Sequence, residues 1–207
     1  MRGTRGFTLI EILVVLAIIG LLMGLVAMSV FRFGQTGAIV DCQSRIESLG
    51  LLAESYMDRM GDFPASRLAD IGVTDAAPLN DGNEAFVAAL RSREYGGGRP
   101  NERWLANSDG DKSPLLRAND GSTALLEVED PWGNPFIYIS YRDYDKEHHY
   151  RISDGDWDED LTVRAARNPL TGAYHNYDSY QILSAGPDGL LDTDDDLANY
   201  TLPNLDG

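Results

Sequence analysis

The sequence predicts an α+β fold in which one long amino-terminal helix packs on a small antiparallel sheet. Two observations lead to this expectation. Residues 12–31 carry no charge, and an apolar stripe at helical spacing follows them as far as Met60. Beyond Pro64, short aliphatic and aromatic runs alternate with glycine, proline, asparagine and aspartate, which is the pattern of strands joined by turns. The helix therefore comes first in the chain, and a sheet-based head follows it.

The charge of the chain is strongly acidic and unevenly distributed. The 207 residues carry a net charge of −16; residues 1–34 hold three arginines and one glutamate, which is +2, so the remainder carries −18. Phosphate backbones repel such a chain, and nucleic acid is not expected as a partner. With one cysteine and three histidines, neither an internal disulfide nor a zinc framework is expected.

The uncharged run at 12–31 has the length of a membrane-spanning helix, because at about 1.5 Å per residue it covers roughly 30 Å of hydrocarbon. Arg2 and Arg5 precede it and favour a cytoplasmic start, which places the acidic body in the periplasm. An ordinary signal peptide is the alternative, because residues 27–29 offer a peptidase-like spacing of small side chains. Against it, the run is long, and Glu11 at its head costs about 2.5–3.5 kcal/mol in hydrocarbon.

Residues 6–11, Gly-Phe-Thr-Leu-Ile-Glu, follow a short basic leader and directly precede the apolar run. This arrangement resembles the class III signal of type IV pilins and type II secretion pseudopilins. The resemblance implies that a prepilin peptidase cuts after Gly6 and methylates Phe7, the new amino terminus. The resulting amine is cationic, and Glu11 of a neighbouring subunit can pair with it in hydrocarbon and set the axial register. The alternative for Glu11 is snorkelling to the cytoplasmic interface.

The resemblance also implies a function, which is that of a structural subunit of a pseudopilus or pilus-like filament that drives protein secretion. It implies a single-pass protein of the bacterial inner membrane that enters the pseudopilus on assembly. The implied partners are copies of the same chain, other pseudopilins, the prepilin peptidase, the membrane, and an inner-membrane assembly platform with its ATPase. The predicted segments are a leader at 1–6, a transmembrane half-helix at 7–33, an amphipathic stem at 34–61 and a periplasmic head at 62–207.

The stem and the head contain further helical and strand patterns. Apolar residues recur along the stem at spacings of three and four, namely Ile39, Cys42, Ile46, Leu49, Ala53, Tyr56 and Met60. Pro64 predicts the end of the stem, and Asn83 is predicted to cap a helix at 84–92. Strands are predicted at 125–128, 136–141, 150–153 and 180–183.

Residues 130–135, Asp-Pro-Trp-Gly-Asn-Pro, predict a rigid corner between two strands, with Trp132 against the core. This corner and the helix before it resemble the major pseudopilin of type II secretion. Residues 141–176 depart from the compact pattern of that family, and we interpret them as an insertion.

Near its end the chain places five carboxylates within nine residues, among glycine and proline. A hard cation with six to eight oxygen ligands relieves such repulsion, which favours a structural calcium ion. Pseudopilins with a similar loop bind calcium there. Matching residue by residue implies the ligands Asp188, Asp194 and Asp196, with Ser184, Asp192 and Asp195 as further candidates. The alternative is a solvated acidic loop.

Two other acidic stretches give weaker signals. Asn107, Asp109 and Asp111 alternate as at the start of an EF-hand loop, but Lys112 stands where its glycine is expected, so this is a weak site at most. The alternating acids at 154–160 predict an exposed, solubilising loop.

The alternative function is a membrane-anchored periplasmic hydrolase or calcium-binding protein with an ordinary signal anchor. The chain has no nucleophile-elbow, zinc-protease or phosphate-loop motif. The adjacent His148 and His149 are expected on opposite faces of a strand, so they do not converge on one metal. We therefore predict a structural protein and no enzyme.

Overall fold

The computed structural model describes residues 9–155 and 157–202, with the backbone alone for 24–35. The chain divides into two units, Met1–Ala38 and Ile39–Gly207. Helix α1, Leu9–Met60, comes first, and helix α2, Asp81–Leu90, and short antiparallel strands follow it. The predicted α+β class is confirmed.

The strands pair in three small antiparallel groups. Strands β1 and β2 pair with each other, β3, β6 and β7 form a three-stranded sheet in that order, and β4 and β5 form a hairpin. Their bounds are Leu105–Ala106 for β1, Glu127–Val128 for β2, Ile137–Ser140 for β3, His148–Ser153 for β4, Asp158–Val163 for β5, Tyr180–Ser184 for β6 and Leu197–Ala198 for β7. Single 3₁₀ turns lie at Leu68–Ile71, Glu102–Trp104 and Tyr141–Asp143.

The apolar stripe of the stem forms one side of the largest core. Cys42, Ile46, Leu49 and Ala53 are buried, and they belong to the same cluster as Phe86 on α2 and residues of β3 and β6. Burial raises the pKa of the Cys42 thiol to about 12, so this residue packs as a small neutral side chain. Helix α1 ends at Met60, after which Gly61 takes a φ of 82° and donates to the carbonyl of Met57 at 2.8 Å.

Asn83 does not cap a helix, so that prediction is wrong. Helix α2 begins earlier, at Asp81, and Asn80 precedes it. The side chain of Asn83 is buried, where it donates to the carbonyls of Val128 at 2.9 Å and Phe136 at 2.7 Å. Its Oδ1 accepts from the N–H of Val128 at 2.8 Å. The amide is used to join α2 to the strands, and so it is not available to the helix end.

The outer edge of β3 is bonded by side chains. The hydroxyl of Tyr150 accepts from the N–H of Tyr138 and donates to the carbonyl of the same residue, both at 3.0 Å. The hydroxyl of Ser66 accepts from the N–H of Ser140 at 3.0 Å. Helix α2 passes so close that a Cβ on Gly82 would collide with the Tyr150 hydroxyl. This position therefore requires glycine.

The acidic stretch at 154–160 is only partly a loop, so the prediction made for it is corrected. Asp158 and Asp160 lie on β5, which pairs with β4 along its whole length, while Asp156 lies outside the described residues. Asp160 accepts from the guanidinium of Arg151 across the pair at 2.7 Å. Cross-strand pairing of this kind holds an acidic sequence in a strand that its composition does not favour.

Candidate functional site

The amino-terminal motif lies partly outside the described residues, because Gly6 and Phe7 do. Glu11 lies exposed in the first turn of α1, where the partial positive charge of a helix amino end favours a carboxylate. The apolar side chains beside it in the sequence are exposed as well, with Leu9 84% exposed and Ile10 69% exposed.

A membrane-spanning helix was predicted over residues 7–33. Where the structure describes side chains, it contains no helix that is both long and apolar enough to cross a bilayer. Residues 7–8 and 24–33 of the predicted region lie outside that part of the chain.

The predicted calcium ligands lie in and beside a tightly folded loop, the tail loop, residues 185–196 between β6 and β7. Gly186 and Gly189 have φ values of 68° and 67°, and Asp192 shares this left-handed conformation at 64°. A Cβ on Gly186 would collide with the carbonyl of Asp195, and one on Gly189 with the carbonyl of Ser153. The loop therefore packs closely on itself and on the end of β4.

Backbone amides of the tail loop bind most of its described carboxylates. Asp188 Oδ1 accepts from the N–H of Leu190 at 2.8 Å, and Asp195 Oδ2 accepts from the N–H of Asp188 at 3.2 Å. Asp196 Oδ2 accepts from the N–H of Asp192 at 2.9 Å. The structure thus brings Asp188 together with Asp195, and Asp192 with Asp196, while the side chains of Asp188 and Asp194 stay exposed.

Asp196 is the buried carboxylate of the tail loop. It is 7% exposed, and its Oδ1 has no hydrogen-bond partner among the described residues. Burial raises the pKa of Asp196 to about 7, and the charges of Asp192 and Asp195 add to this, whereas hydrogen bonds from the loop backbone oppose it. One oxygen of this group remains open to a ligand.

Ser184, a further predicted ligand, is directed to the corner at 130–135. Its hydroxyl donates to Asp130 Oδ2 at 2.6 Å and accepts from the N–H of Gly186 at 3.2 Å. Asp130 Oδ1 accepts from the N–H groups of Trp132 and Asn134 at 2.9 and 3.0 Å. Ser184 therefore links β6 to this corner.

A different group of carboxylates has the spacing of metal ligands. One oxygen each of Glu84, Asp109 and Glu127 lies within 4.8 Å of the others, and among the described residues no tail aspartate belongs to such a group of three. This buried acidic triad could bind a metal ion. The sequence predicts Asp109 only as part of a weak EF-hand-like loop, and neither glutamate was identified from it. The available signal was a glutamate directly before the apolar run 85–90 of α2 and another inside the apolar strand predicted at 125–128.

The two adjacent histidines point to opposite faces of β4, as predicted. His148 is 3% exposed and its ring contacts the carbonyl of Asp143 at 3.3 Å, whereas His149 is exposed. Burial lowers the pKa of His148 and favours the neutral ring. The pair does not form one site.

Comparisons with known proteins add independent evidence. Residues 1–29 match the family model of the prokaryotic N-terminal methylation motif. The chain is 25% identical to the type II secretion system core protein G of Escherichia coli (strain K12) over 207 residues, which cover 98% of this chain and 97% of that protein. No solved structure matches the chain. The chain accordingly carries an N-terminal methylation motif and is distantly similar to type II secretion system core protein G over nearly its full length.

Proposed function

We propose that the protein is a structural subunit of a pseudopilus or pilus-like filament that assembles from the bacterial inner membrane and drives protein secretion. The observation that carries the proposal is the methylation motif at residues 1–29 together with similarity to a type II secretion core protein along the whole chain. A motif match alone would fit any anchored protein with this leader. Similarity of the head as well favours the filament subunit.

The exposed apolar part of α1 is consistent with this role. Between Leu9 and Met23 the exposed aliphatic side chains lie all around the helix, and none of them belongs to a buried cluster among the described residues. Burying one such side chain contributes about 1.5–3 kcal/mol, so this segment needs a covering of lipid or protein. In the proposed function, lipid covers it before assembly and neighbouring copies cover it afterwards.

The leader and Glu11 have the roles that the sequence predicts. The prepilin peptidase cuts between Gly6 and Phe7 and methylates the new amine. Glu11 of one subunit then pairs with the amine of the next, and two charges are compensated in a low dielectric. The assembly platform, its ATPase and other pseudopilins are the proposed partners, and the head lies in the periplasm.

A calcium ion at the tail loop is the finer part of the proposal. Its ligands are those predicted, Asp188, Asp194 and Asp196. The open, buried Oδ1 of Asp196 supports it, as do the charges of Asp192 and Asp195 that act on this carboxylate. The ion would hold the loop in place and take no part in catalysis.

The test is to express the full chain with a prepilin peptidase and an assembly system, and to measure the mature amino terminus by mass spectrometry and the filament yield by shearing. We expect N-methylated Phe7 in both the wild type and Glu11→Val. We expect at least tenfold less filament from Glu11→Val, because the incoming amine then lacks a carboxylate in hydrocarbon.

Glu102→Val is the matched control, because Glu102 is an exposed glutamate of the head, and its filament yield should equal that of the wild type. A mature terminus at Val30 would identify an ordinary exported protein. Normal yield from Glu11→Val would show that the charge pairing is not needed. Correct processing without any filament from the wild type would contradict the structural role.

A further inference from the structure

Carboxylates from three separate segments meet inside the head. Glu84 lies on α2, Glu127 on β2, and Asp109 in the loop that follows β1. Asp111, two residues further along that loop, is the neighbouring charge that acts most strongly on Glu84. We name Glu84, Asp109, Asp111 and Glu127 the inner carboxylate cluster.

Glu84 is fully buried and has no donor partner in the described part of the chain. Its exposed fraction is 0%, and neither Oε1 nor Oε2 receives a hydrogen bond from a donor group; the Asp111 carboxylate is close enough to share a proton with it. Leaving a buried polar group without a partner costs roughly 1–3 kcal/mol, and more when it is charged. Since its nearest oxygen lies within 4.8 Å of those of Asp109 and Glu127, the unsatisfied side chain is directed into the cluster.

Other oxygens around Glu84 are also unsatisfied. Both carboxylate oxygens of Asp111 and the Oδ1 of Asn107 are buried without a hydrogen bond. Glu127 differs, because its Oε1 accepts from Asn80 at 3.0 Å and from the Ser108 hydroxyl at 2.9 Å. These bonds fix the position of the Glu127 carboxylate beside the oxygens of Glu84, Asp111 and Asn107 that receive no hydrogen bond.

The charge of Arg151 acts on Asp109, but no cationic side chain in the described part of the chain forms an ion pair with the cluster. Burial, together with mutual repulsion, raises the pKa of Glu84 to about 10 and that of Asp111 to about 6. The pKa of Glu127 rises to about 7, mainly through burial. Burial thus disfavours the charged forms of these acids, and a cation bound between them would offset that cost.

We infer that the inner carboxylate cluster binds one calcium ion, with Glu84, Asp109 and Glu127 as ligands and Asp111 and Asn107 as further oxygen donors. Two oxygens on one calcium ion, each at roughly 2.4 Å, are at most about 4.8 Å apart, and the triad meets this requirement. The ion would link α2, β2 and the loop after β1.

The donor set also selects the kind of metal. All the donors are oxygens, and no cysteine or histidine belongs to the group, which argues against zinc and copper. Magnesium keeps several of its waters, whereas Glu84 and Glu127 are both 0% exposed, so the site favours an ion that accepts many protein oxygens. Ser108 and Gly110 are exposed, and the loop that carries them gives the ion a path from solvent.

Calorimetric titration of the full chain in detergent, first freed of metal with a chelator, tests the inference with calcium chloride and magnesium chloride as probes. The tail variant Asp188→Ala with Asp194→Ala separates the two acidic regions. We expect it to bind one calcium ion per chain, with magnesium at least tenfold weaker. Adding Glu84→Gln or Asp109→Asn to the tail variant should weaken calcium binding at least tenfold.

Glu94→Gln is the matched control, because Glu94 is an exposed glutamate, and calcium affinity should not change. Asp109→Asn covers the case in which Glu84→Gln fails to fold, because an asparagine oxygen can still accept from the N–H of Asp111, as Asp109 does at 3.2 Å. A tail variant that binds no calcium, or one whose affinity is the same with and without Asp109→Asn, would overturn the inference. Filament yield is measured separately, so failure here leaves the proposed function intact.

Discussion

The tail loop and the inner carboxylate cluster satisfy their negative charge in different ways. The tail loop holds five aspartates within nine residues, and its own backbone amides bind Asp188, Asp195 and Asp196. The inner carboxylate cluster gathers four acids from positions 84 to 127, and among the described residues no donor group bonds the carboxylates of Glu84 and Asp111. Acids that are close in sequence share a loop whose N–H groups can turn toward them. Acids that meet only through folding depend on donors from separate segments, and the carboxylates of Glu84 and Asp111 receive none.

The difference shows that the number of acidic residues in a stretch of sequence does not indicate whether their carboxylates need a bound cation. In a loop with many acids, turns direct backbone N–H groups toward the carboxylates and so lower the cost of their repulsion. A sparse set of acids on a helix, a strand and a loop cannot lower this cost in the same way, because the backbone of those elements is already bonded. Without a bound ion, the tail loop is therefore held mainly by its backbone conformation, whereas the inner carboxylate cluster holds acids that the backbone does not compensate.

Substituting Gly189 should have the largest effect and tests the backbone side of this contrast. In Gly189→Ala the new Cβ would collide with the carbonyl of Ser153, and alanine would have to adopt a φ of 67°. We expect the free energy of unfolding to fall by about 3 kcal/mol. Urea unfolding of the full chain in detergent, followed by tryptophan fluorescence, measures it.

The control for this variant is Gly155→Ala, which has positive φ but no atom within 4 Å of the new Cβ. It should cost about 1 kcal/mol, from backbone strain alone. Equal losses in the two variants would mean that packing of the tail loop on β4 does not constrain it.

The pH dependence of the stability of metal-free protein tests whether charge destabilises the inner carboxylate cluster. The expected change in free energy of unfolding is the second largest. Glu84 is uncharged when folded up to a pKa of about 10, raised by burial and by Asp111, Glu127, Asp109 and Asp81, whereas the unfolded carboxyl ionises near 4.5. Because the folded state binds the extra proton, stability falls as pH rises between these values. We expect a loss of about 2.7 kcal/mol from pH 6 to pH 8 due to this group.

In Glu84→Gln this contribution should disappear, and only the slopes due to the other acids should remain. Denaturant unfolding at several pH values in the presence of chelator gives the comparison, with the exposed Glu94→Gln as the matched variant. If the wild type and Glu84→Gln had the same pH slope, Glu84 would be ionised in the folded protein.

Asp196→Asn should have the smallest effect. An asparagine oxygen can still accept from the N–H of Asp192, and its NH₂ group would replace the unpartnered Oδ1. We expect a change under about 1 kcal/mol at pH 8 in chelator, measured by the same unfolding assay. A fall of more than about 2 kcal/mol in the free energy of unfolding would show that the charge of Asp196 organises the tail loop and that its backbone conformation is not sufficient.

Much of the fold follows from local patterns that the sequence shows. The stem stripe, the end of α1 before Pro64 and the strands that became β3, β4 and β6 depend on periodicity and turn residues, which act over a few positions. Strand β5 was missed because Asp158, Glu159 and Asp160 read as a solvated loop, and only pairing with β4 makes them a strand. The two-residue strands β1 and β7 are too short to leave a pattern.

The candidate sites divide in the same way. The motif around Gly6 and the tail aspartates are each a contiguous stretch of sequence, so both can be identified from the sequence alone. The inner carboxylate cluster joins positions that only the packing of α2 on β2 brings together, and Asn83 was misassigned for the same reason. Its amide bonds Val128 and Phe136, partners that lie far away in the sequence.

The hydroxyl of Tyr150 has a consequence for how copies of this chain can associate. By bonding both the N–H and the carbonyl of Tyr138, it occupies the groups that another strand would use, and Ser66 occupies the N–H of Ser140. A strand edge sealed in this way does not recruit a foreign strand, which is how many soluble proteins avoid uncontrolled aggregation. Heads can therefore be crowded at high local concentration without fusing through this edge.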